Sequence, residues 1–385
     1  MEAWIVGAVR TAIGKKNGTL SATRPDEIAA KTLQALAKQA GVDPKEIDDV
    51  IMGCVSSVGE QGLNIARNSA LLAGWPIEVT GVTINRMCGS SQQAVHFAAQ
   101  GVMSGTQDLV VASGVESMSR VPMGADMFLN GEMKPPHPGL AERFEIVPQG
   151  ISAEMIAAKW KLTRAEVDGF SLESHKRAAA ATDNGWFKRE IAPIEVKDAA
   201  GNAVTFQVDE GIRRETSIEK LGTLKTAFKS DGVVTAGNSS QISDGAAAVL
   251  IASSAKVKAL GLKPRAKITT LALAGVDPTI MLTGPIPATQ KVLARAGLKV
   301  SDIDLFEVNE AFATVVLAWQ KELGVDAARV NVNGGAVAMG HPLGASGARL
   351  VTTLLHEMER RDVKRGLVTM CIGFGQGTAT IIERV

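Results

Sequence analysis

Hydrophobic positions along the chain follow two alternating patterns. Short aliphatic and β-branched runs predict buried strands at 47–55, 108–113, 249–252 and 367–371. Longer segments with apolar residues on one helical face predict helices at 28–39, 92–103, 311–323 and 348–359. Strands that alternate with amphipathic helices are typical of domains in which helices cover both faces of a sheet. The pattern therefore predicts an α/β fold.

A weak internal repeat divides the chain. Ala40-Gly41 followed by Ile47-Asp48 returns as Ala296-Gly297 followed by Ile303-Asp304, with the same internal spacing. Each copy follows a helical segment and precedes an apolar strand. Four matched residues are compatible with a duplicated core or with coincidence. In a duplicated core, Ser113 would lie roughly at the position of Cys371.

The middle of the chain differs from its flanks. Residues 116–235 are richer in charged residues, methionine and proline. Thr163 and Glu166 have the spacing of a capping box and predict a helix that runs to Ala181. We interpret 116–235 as a loop domain inserted into the first half of the core. That half would span 1–115, completed by about 236–260, and the second half 261–385.

Composition limits the possible classes of protein. The 385 residues are 45% hydrophobic, enough for two or three domains, and the net charge of +1 creates no overall field that would attract nucleic acid. No apolar run is long enough to cross a membrane, and the N-terminal segment lacks the pattern of a signal peptide. Three cysteines without paired spacing suit neither a disulfide framework nor a zinc site. We expect a cytoplasmic protein without metal, nucleic acid or membrane span.

Two of the cysteines lie in glycine-marked turns. Cys88 stands where an apolar run gives way to a helical one, so the helix dipole and free N–H groups would favour its thiolate. An inert buried thiol is the alternative. Cys371 ends a predicted strand and enters a glycine-rich turn.

Two polar residues lie between these cysteines in turn-like settings. His341 lies between Gly340 and Pro342, which predicts a histidine fixed by its backbone or, alternatively, one in a surface turn. Asn309 opens a helical segment and would serve as its N-cap. Two thiols, an imidazole and an amide together suggest covalent acyl chemistry.

These motifs, in this order, resemble those of the thiolase family, coenzyme A-dependent enzymes that cleave or form 3-oxoacyl thioesters. The matching segments are 85–94, Asn309-Glu310-Ala311-Phe312, 340–347 and 371–377, and the resemblance extends over essentially the whole chain. It implies a duplicated α-β-α-β-α layered core with an inserted loop domain that carries much of the coenzyme A site. It also implies a symmetric oligomer, a homodimer or homotetramer.

The resemblance assigns a role to each motif. Cys88 would be the nucleophile that becomes acylated, and His341 would activate it. Asn309, through a water, would join His341 in holding the thioester oxygen. Cys371 would be the acid and base for the departing acetyl-CoA, and the N–H of Gly373 would form a second oxyanion hole with that of Cys88.

The implied reaction is thiolytic cleavage of 3-oxoacyl-CoA to acyl-CoA and acetyl-CoA, or its reverse, by ping-pong transfer. Coenzyme A is then a substrate, and no cofactor is bound permanently. The expected contacts with coenzyme A are Arg213, Ser217, Leu221, Phe228, Ser239, Ser240, Met281 and Phe312. For the basic residues of this stretch an ordinary solvated face is the alternative.

Three positions depart from the family pattern. Gln92 stands where glycine is common, which would change the shape of the pocket. Phe374 replaces a glycine and would be strained if its φ is positive, or would otherwise form a wall of the acyl pocket. Gln149 stands where methionine is common, and its surroundings favour the degradative branch and leave room for bulky, ring-derived acyl chains.

Other functions stay open because of these departures. One is a catalytically silent acyl-CoA-binding homologue, and another is a synthetic thiolase that forms acetoacetyl-CoA. A ketoacyl synthase would be expected to carry a histidine in place of Cys371.

Overall fold

Each strand and helix predicted from the apolar pattern is present, with somewhat different ends. The computed structural model describes residues 1–134, 136–198 and 200–385. The strands within them are β1 (Ala3–Arg10), β2 (Gly14–Lys15), β3 (Asp49–Gly53), β4 (Thr80–Ile84), β5 (Leu109–Ser117), β6 (Phe128–Leu129), β7 (Glu132–Met133), β8 (Ile194–Lys197), β9 (Ala203–Phe206), β10 (Ser243–Ser253), β11 (Ala266–Gly275), β12 (Leu305–Val308), β13 (Arg365–Ile372) and β14 (Gln376–Arg384).

Several helices begin or end at residues that carry capping signals in the sequence. In the described residues the helices are α1 (Pro25–Ala40), α2 (Ile65–Leu72), α3 (Ser90–Ser104), α4 (Pro138–Ala141), α5 (Gln149–Lys159), α6 (Arg164–Asp183), α7 (Ile218–Gly222), α8 (Ser254–Leu260), α9 (Pro285–Ala296), α10 (Ala313–Leu323), α11 (Ala336–Met339) and α12 (Ser346–Arg361). The capping box predicted at Thr163 and Glu166 is confirmed. Gly41 and Gly297, the glycines of the two repeat copies, end α1 and α9 in the same left-handed conformation, with φ of 65° and 66°.

The large sheet is built from two halves with the same strand order. The order across it is β12-β13-β14-β11-β1-β10-β5-β3-β4, with β2 beside β10. Outwards from the join between β1 and β11, one half reads β1-β10-β5-β3 and the other β11-β14-β13-β12. In each half the first two pairs are antiparallel and the third is parallel. The repeat seen in the sequence therefore reflects a duplicated core.

The two repeat aspartates make equivalent hydrogen bonds. The carboxylate of Asp48 accepts the N–H of Leu109 at 2.9 Å, and that of Asp304 accepts the N–H of Arg365 at 2.7 Å. Each aspartate also donates its own N–H to the carbonyl of the same partner, at 2.9 Å in both halves. Leu109 and Arg365 are therefore equivalent positions of β5 and β13.

This register corrects one prediction. Val115 and Cys371 lie equally far along their strands from Leu109 and Arg365, so they are the equivalent pair. The expected match of Cys371 with Ser113 is wrong. The error arose because the two apolar runs were aligned by composition, whereas hydrogen bonds set the register.

Helices α3 and α12 lie between the two halves of the sheet. Helix α3 packs on β5 and β3, α12 packs on β10 and β13, and the two helices contact each other. Their apolar faces share one core cluster with strands of both halves. Helices α1 and α2 belong to the cluster on the outer face of the first half, and α9 covers that of the second. The predicted α-β-α-β-α layering is confirmed.

The chain leaves the sheet between β5 and β10. There it forms the small pairs β6–β7 and β8–β9 and the helices α4 to α7. This path agrees with an inserted loop domain, although the exact division at 116–235 stays a prediction. In the part of the chain that the structure describes, no helix has both the length and the apolar character needed to span a membrane.

The central helices meet where Gly347 of α12 faces Gln92 of α3. A Cβ on Gly347 would lie 2.2 Å from the backbone nitrogen of Gln92, so only glycine fits. The Gln92 side chain is buried, and it bonds to the Val368 carbonyl and to the hydroxyls of Thr378 and Thr380. Gln92 therefore ties α3 to the second half of the sheet, and its expected effect on the shape of the pocket stays a prediction.

This contact predicts opposite effects for two glycine substitutions. Gly347→Ala forces α3 and α12 apart and should lower the free energy of unfolding by about 1–3 kcal/mol. Gly169→Ala, on α6, places a Cβ in open space and should raise it by about 0.4–1 kcal/mol. Urea unfolding followed by circular dichroism measures both changes. A Gly347→Ala protein as stable as the parent would contradict the close packing described here.

Candidate active site

Cys88 lies in a tight turn between β4 and α3. Met87, directly before it, has a φ of +45°, a conformation that residues with side chains seldom adopt. Backbone bonds from Gly89 to the Arg86 carbonyl (3.0 Å) and from Ser90 to the Met87 carbonyl (2.9 Å) close the turn. Because α3 begins at Ser90, Cys88 lies just ahead of the positive end of the helix.

Burial dominates the protonation of the Cys88 thiol. The residue is 4% exposed, and burial raises the pKa of the thiol to about 11. Hydrogen bonds from the N–H groups of Gly373 and of Cys88 itself, and from the Gln149 side chain, oppose this rise in pKa, whereas the Glu116 carboxylate adds to it. The expected preference for thiolate is therefore wrong for the free protein.

The second thiol lies next to the first. Cys371 is on β13 and is 1% exposed. Burial raises the pKa of its thiol, and the proximity of Cys88 raises that pKa further. Two neutral thiols therefore lie side by side at the end of the strand, so Cys371 can donate a proton at neutral pH.

The turn after β13 brings the backbone N–H of Gly373 to Cys88. A Cβ on Gly373 would lie 2.9 Å from the sulfur of Met87, so a side chain there would push the Gly373 N–H away from Cys88. Phe374 follows with a φ of +59° and Gly375 with +79°. The predicted strain at Phe374 is thus present and costs on the order of 1 kcal/mol.

Hydrogen bonds fix the tautomer of His341. The Ser346 hydroxyl donates to the Pro342 carbonyl at 2.8 Å and lies 2.5 Å from His341 Nδ1, so it accepts the Nδ1–H. His341 Nε2 is then an acceptor, 3.3 Å from the side-chain nitrogen of Asn309. Burial, with a smaller effect of the Arg349 cation, lowers the pKa of His341 to about 3. His341 is therefore a neutral imidazole that is unprotonated at Nε2 and accepts the Asn309 amide there.

Asn309 lies between β12 and α10 rather than at a helix end. Helix α10 begins at Ala313, and Phe312 occupies its N-cap position, so the prediction of Asn309 as N-cap is wrong. Among the described residues, the buried Asn309 Oδ1 has no hydrogen-bond partner. A buried amide oxygen without a partner is costly, which suits a group that acts on a ligand.

A buried carboxylate that sequence reasoning did not assign supports the histidine loop. Glu116 accepts hydrogen bonds from the N–H groups of Val55 (2.9 Å), Ser56 (3.1 Å) and Gly344 (2.8 Å) and from the Gln61 amide (2.8 Å). Burial raises the pKa of Glu116. The only signal in the sequence is a carboxylate next to an apolar strand, which does not reveal these partners.

A second buried carboxylate has a similar role beside Asn309. Glu310 accepts hydrogen bonds from Ser174 (2.7 Å), Asn331 (2.9 Å) and the Val337 N–H (3.1 Å). These contacts join α6 and the segment before His341 to the end of β12. The loops that carry the amide and the imidazole therefore have a common anchor.

The candidates for coenzyme A binding fall into two groups, and the first is polar. Arg213, Ser239 and Ser240 line a cavity of about 550 Å³. Lys15 and Lys16 line the same cavity, although no spacing in the sequence connects them with Arg213. The cavity is therefore more basic than the sequence predicted.

The second group is apolar and adjoins the thiols. Met281 and Phe312 share a buried cluster with Cys371, and Phe228 packs edge-on against Phe312 with 6.2 Å between ring centres. The remaining two candidates have structural contacts: Leu221 is buried, and the Ser217 hydroxyl accepts the N–H of Lys220 to cap α7. The contact of all these residues with coenzyme A stays a prediction.

The whole chain matches the two domains that define one enzyme family. The thiolase N-terminal domain matches residues 3–255, and the thiolase C-terminal domain matches residues 262–384. The chain therefore belongs to the thiolase family, as its motifs predicted. By class it is an acyltransferase.

Similar proteins narrow the class further. The steroid 3-ketoacyl-CoA thiolase FadA6 of Mycobacterium tuberculosis is 48% identical, with 100% of this chain and 94% of that protein covered. The 3-ketoacyl-CoA thiolase of Aeromonas hydrophila is 48% identical, with 99% of each covered. These relatives confirm the prediction of a degradative thiolase.

Solved structures agree with the fold. The acetyl-CoA acetyltransferase of Bacillus anthracis gives a TM-score of 0.92 at 40% identity, and human mitochondrial 3-ketoacyl-CoA thiolase gives 0.91 at 40%. Each comparison covers 100% of this chain and 99% of the other.

The tautomer of His341 leads to a test at Ser346. Ser346→Ala removes the acceptor of Nδ1–H, so the ring loses its fixed tautomer and orientation. We expect the rate of Cys88 acylation by a 3-oxoacyl-CoA to fall about tenfold or more, because a misdirected base loses part of its catalytic effect. Rapid-quench mass spectrometry of the intact protein measures this rate.

The matched control is Ser104→Ala at the exposed end of α3, which should leave the rate unchanged. If Ser346→Ala is acylated at the same rate as the parent protein, the hydroxyl does not orient the base.

Proposed function

We propose that the protein transfers acyl groups through Cys88 in a ping-pong reaction that cleaves 3-oxoacyl-CoA. The observation that carries this proposal is the pair of adjacent buried thiols, Cys88 and Cys371, with the Gly373 N–H directed at the nucleophile. The neutral His341 supports it, because its unprotonated Nε2 suits a base.

The first step forms a bond between sulfur and carbon. His341 Nε2 takes the proton of the Cys88 thiol in the substrate complex, and the sulfur attacks the 3-oxo carbon. The π electron pair of the carbonyl moves to its oxygen, where the N–H groups of Cys88 and Gly373 stabilise the negative charge. Burial in a dry site strengthens these hydrogen bonds.

The second step breaks the bond between C2 and C3. Its electron pair moves to C2, which becomes the enolate of acetyl-CoA, while the oxyanion at C3 collapses to the Cys88 thioester. Asn309 and the protonated His341 stabilise the enolate oxygen. Cys371 gives its thiol proton to C2, a role that its protonated state suits.

The third step returns the protein to its starting state. Coenzyme A loses its thiol proton to the Cys371 thiolate, and its sulfur attacks the acyl group on Cys88. Acyl-CoA leaves, and the released Cys88 thiolate takes the proton back from His341. Each proton and electron pair is thereby accounted for.

The basic cavity supports a place for the phosphates of coenzyme A. Lys15, Lys16 and Arg213 surround it, with Glu210 as the acidic residue of its lining. Ser240 leads from this cavity towards the thiols, since its N–H bonds to the carbonyl of Ala311 beside Phe312. We assign the phosphates to the cavity and the pantetheine arm to the Ser240 segment.

Sequence similarity favours cleavage over synthesis as the physiological direction. The two relatives at 48% identity are both named for 3-ketoacyl-CoA. A thiolase named for steroids and one whose name gives no acyl class are equally similar, so ring-bearing and other acyl chains are both candidate substrates. Three buried free thiols suit a reducing compartment such as the cytoplasm.

An exposed apolar surface supports a homodimer. Strand β4 ends the large sheet, and Leu63, Ile77, Val82 and Phe97 around it are 96%, 73%, 42% and 43% exposed. An outer strand with unpaired backbone groups readily pairs with another strand. We assign this surface to a second copy, whose own β4 would extend the sheet across a two-fold axis.

The first test follows the mass of the intact protein. Mixed with a 3-oxoacyl-CoA but without free coenzyme A, the protein should gain one acyl group, and added coenzyme A should remove it. Short, long and ring-bearing substrates identify the acyl class by the rate of labelling. Cys88→Ala should not be labelled.

The second cysteine provides the complementary control. Cys371→Ala keeps the nucleophile but lacks the acid, so its acyl-enzyme should form at least about 100-fold more slowly. Turnover that persists in Cys88→Ala would overturn the proposed chemistry. Binding of coenzyme A with no adduct from any substrate would instead identify a silent homologue.

The dimer leads to a test by light scattering. Val82→Lys combined with Ile77→Lys puts two charges into the proposed interface and should convert a dimer to monomers at micromolar concentration. Val208→Lys, at a residue 54% exposed elsewhere, is the matched control and should stay dimeric. A monomeric parent, or a dimer that the double variant leaves intact, would refute the proposed interface.

A further inference from the structure

We propose that Gln149 is a catalytic residue whose side-chain amide donates a hydrogen bond, first to the Cys88 sulfur and then to the oxyanion formed during attack. It would be a third donor beside the N–H groups of Cys88 and Gly373. This inference rests on the proposed function and extends it to a position where related enzymes commonly have methionine.

Contacts around the start of α5 locate the amide. Gln149 is the first residue of that helix, and its side-chain nitrogen would lie 3.3 Å from a Cβ placed on Gly373. The Gln149 amide is close enough to the Cys88 thiol to lower the pKa of that thiol. The Gln149 atom that lies nearest to Gly373 is the side-chain nitrogen, so the amide presents its NH₂ group to the Gly373 turn beside Cys88.

The helix that carries Gln149 is packed in place. A Cβ on Gly150 would lie 2.3 Å from the ring of Phe228, so that ring lies directly on the first turn of α5. Phe228 in turn packs against Phe312 beside the Cys371 cluster. A donor on a fixed helical turn needs little reorganisation when charge develops, which makes it effective.

The chemistry requires no proton transfer by Gln149. As the sulfur bonds to the 3-oxo carbon, the carbonyl π pair moves to oxygen, and the Gln149 N–H then lies beside that oxygen. The pair returns when the bond between C2 and C3 breaks. An amide stays neutral throughout, so this donor works at every pH at which the fold persists. Methionine has no N–H and offers neither contact.

The amide also affects the free protein. Hydrogen bonds from Gln149 and two backbone groups lower the pKa of Cys88, and burial raises it. Removing one donor must raise that pKa further. Below the pKa, a smaller fraction of Cys88 is then thiolate, and the thiol reacts more slowly with an alkylating reagent.

The test compares Gln149→Met with the parent protein in two measurements. Iodoacetamide alkylation of Cys88, followed by peptide mass from pH 7 to 10, should be about tenfold slower in the variant at each pH, as for a pKa raised by one unit. Acylation by the best 3-oxoacyl-CoA should be about 100-fold slower, the effect of removing one such donor. The affinity for coenzyme A, measured by calorimetry, should not change.

Two further variants separate the role of the donor from that of packing. Gln320→Met, the same change at a half-buried position of α10, should match the parent in both measurements. Gln149→Asn keeps an amide on a shorter side chain and should recover part of the acylation rate that methionine loses.

The outcomes decide the proposal. If Gln149→Met is alkylated and acylated at the same rates as the parent protein, the proposal is overturned. A variant that only binds coenzyme A more weakly would overturn it as well, because the residue would then serve binding alone. If the parent itself forms no acyl-enzyme, the proposed function fails, whereas the alkylation profile still shows whether Gln149 acts on Cys88.

Discussion

The active site depends on the close contact between α3 and α12 at the centre of the molecule. Only glycine at 347 lets α12 approach the backbone of Gln92. Cys88 lies directly before α3, and the loop of His341 lies directly before α12. Because the two helices belong to equivalent positions of the duplicated core, their starts meet between the two sheet halves. Duplication thereby brings the segments of Cys88 and His341, the proposed nucleophile and base, together from distant parts of the chain.

This contact places ionisable groups where charge is costly. Burial raises the pKa values of Cys88 and Cys371 and lowers that of His341, so all three are neutral before substrate arrives. The buried carboxylates Glu116 and Glu310 accept several hydrogen bonds each and keep the surrounding loops rigid. Charge therefore develops in the site only when a bound substrate supplies an atom that takes up the negative charge.

The sequence predicted the alternation of strands and helices because apolar periodicity reports which face is buried, and the layers of the core followed from the resemblance to thiolases. It also predicted Cys88, His341, Asn309 and Cys371 as a set, because each stands in a recognisable local motif. It failed for features that depend on contacts between residues far apart in the chain. The start of α3 suggested a thiolate at Cys88. Burial by segments far away in the sequence instead raises the pKa of this thiol and keeps it protonated.

Partners across the fold explain the remaining failures. Glu116 was unassigned because its partner Gly344 lies 228 positions away. The N-cap position predicted for Asn309 is occupied by Phe312, because the chain is still extended at Phe312. The departures Phe374 and Gln149 argue against a silent protein. Phe374 adopts the backbone conformation that a glycine would, which keeps the Gly373 N–H on the nucleophile, and Gln149 adds a donor there. A chain that had lost catalysis would have no reason to bear the backbone strain at Phe374.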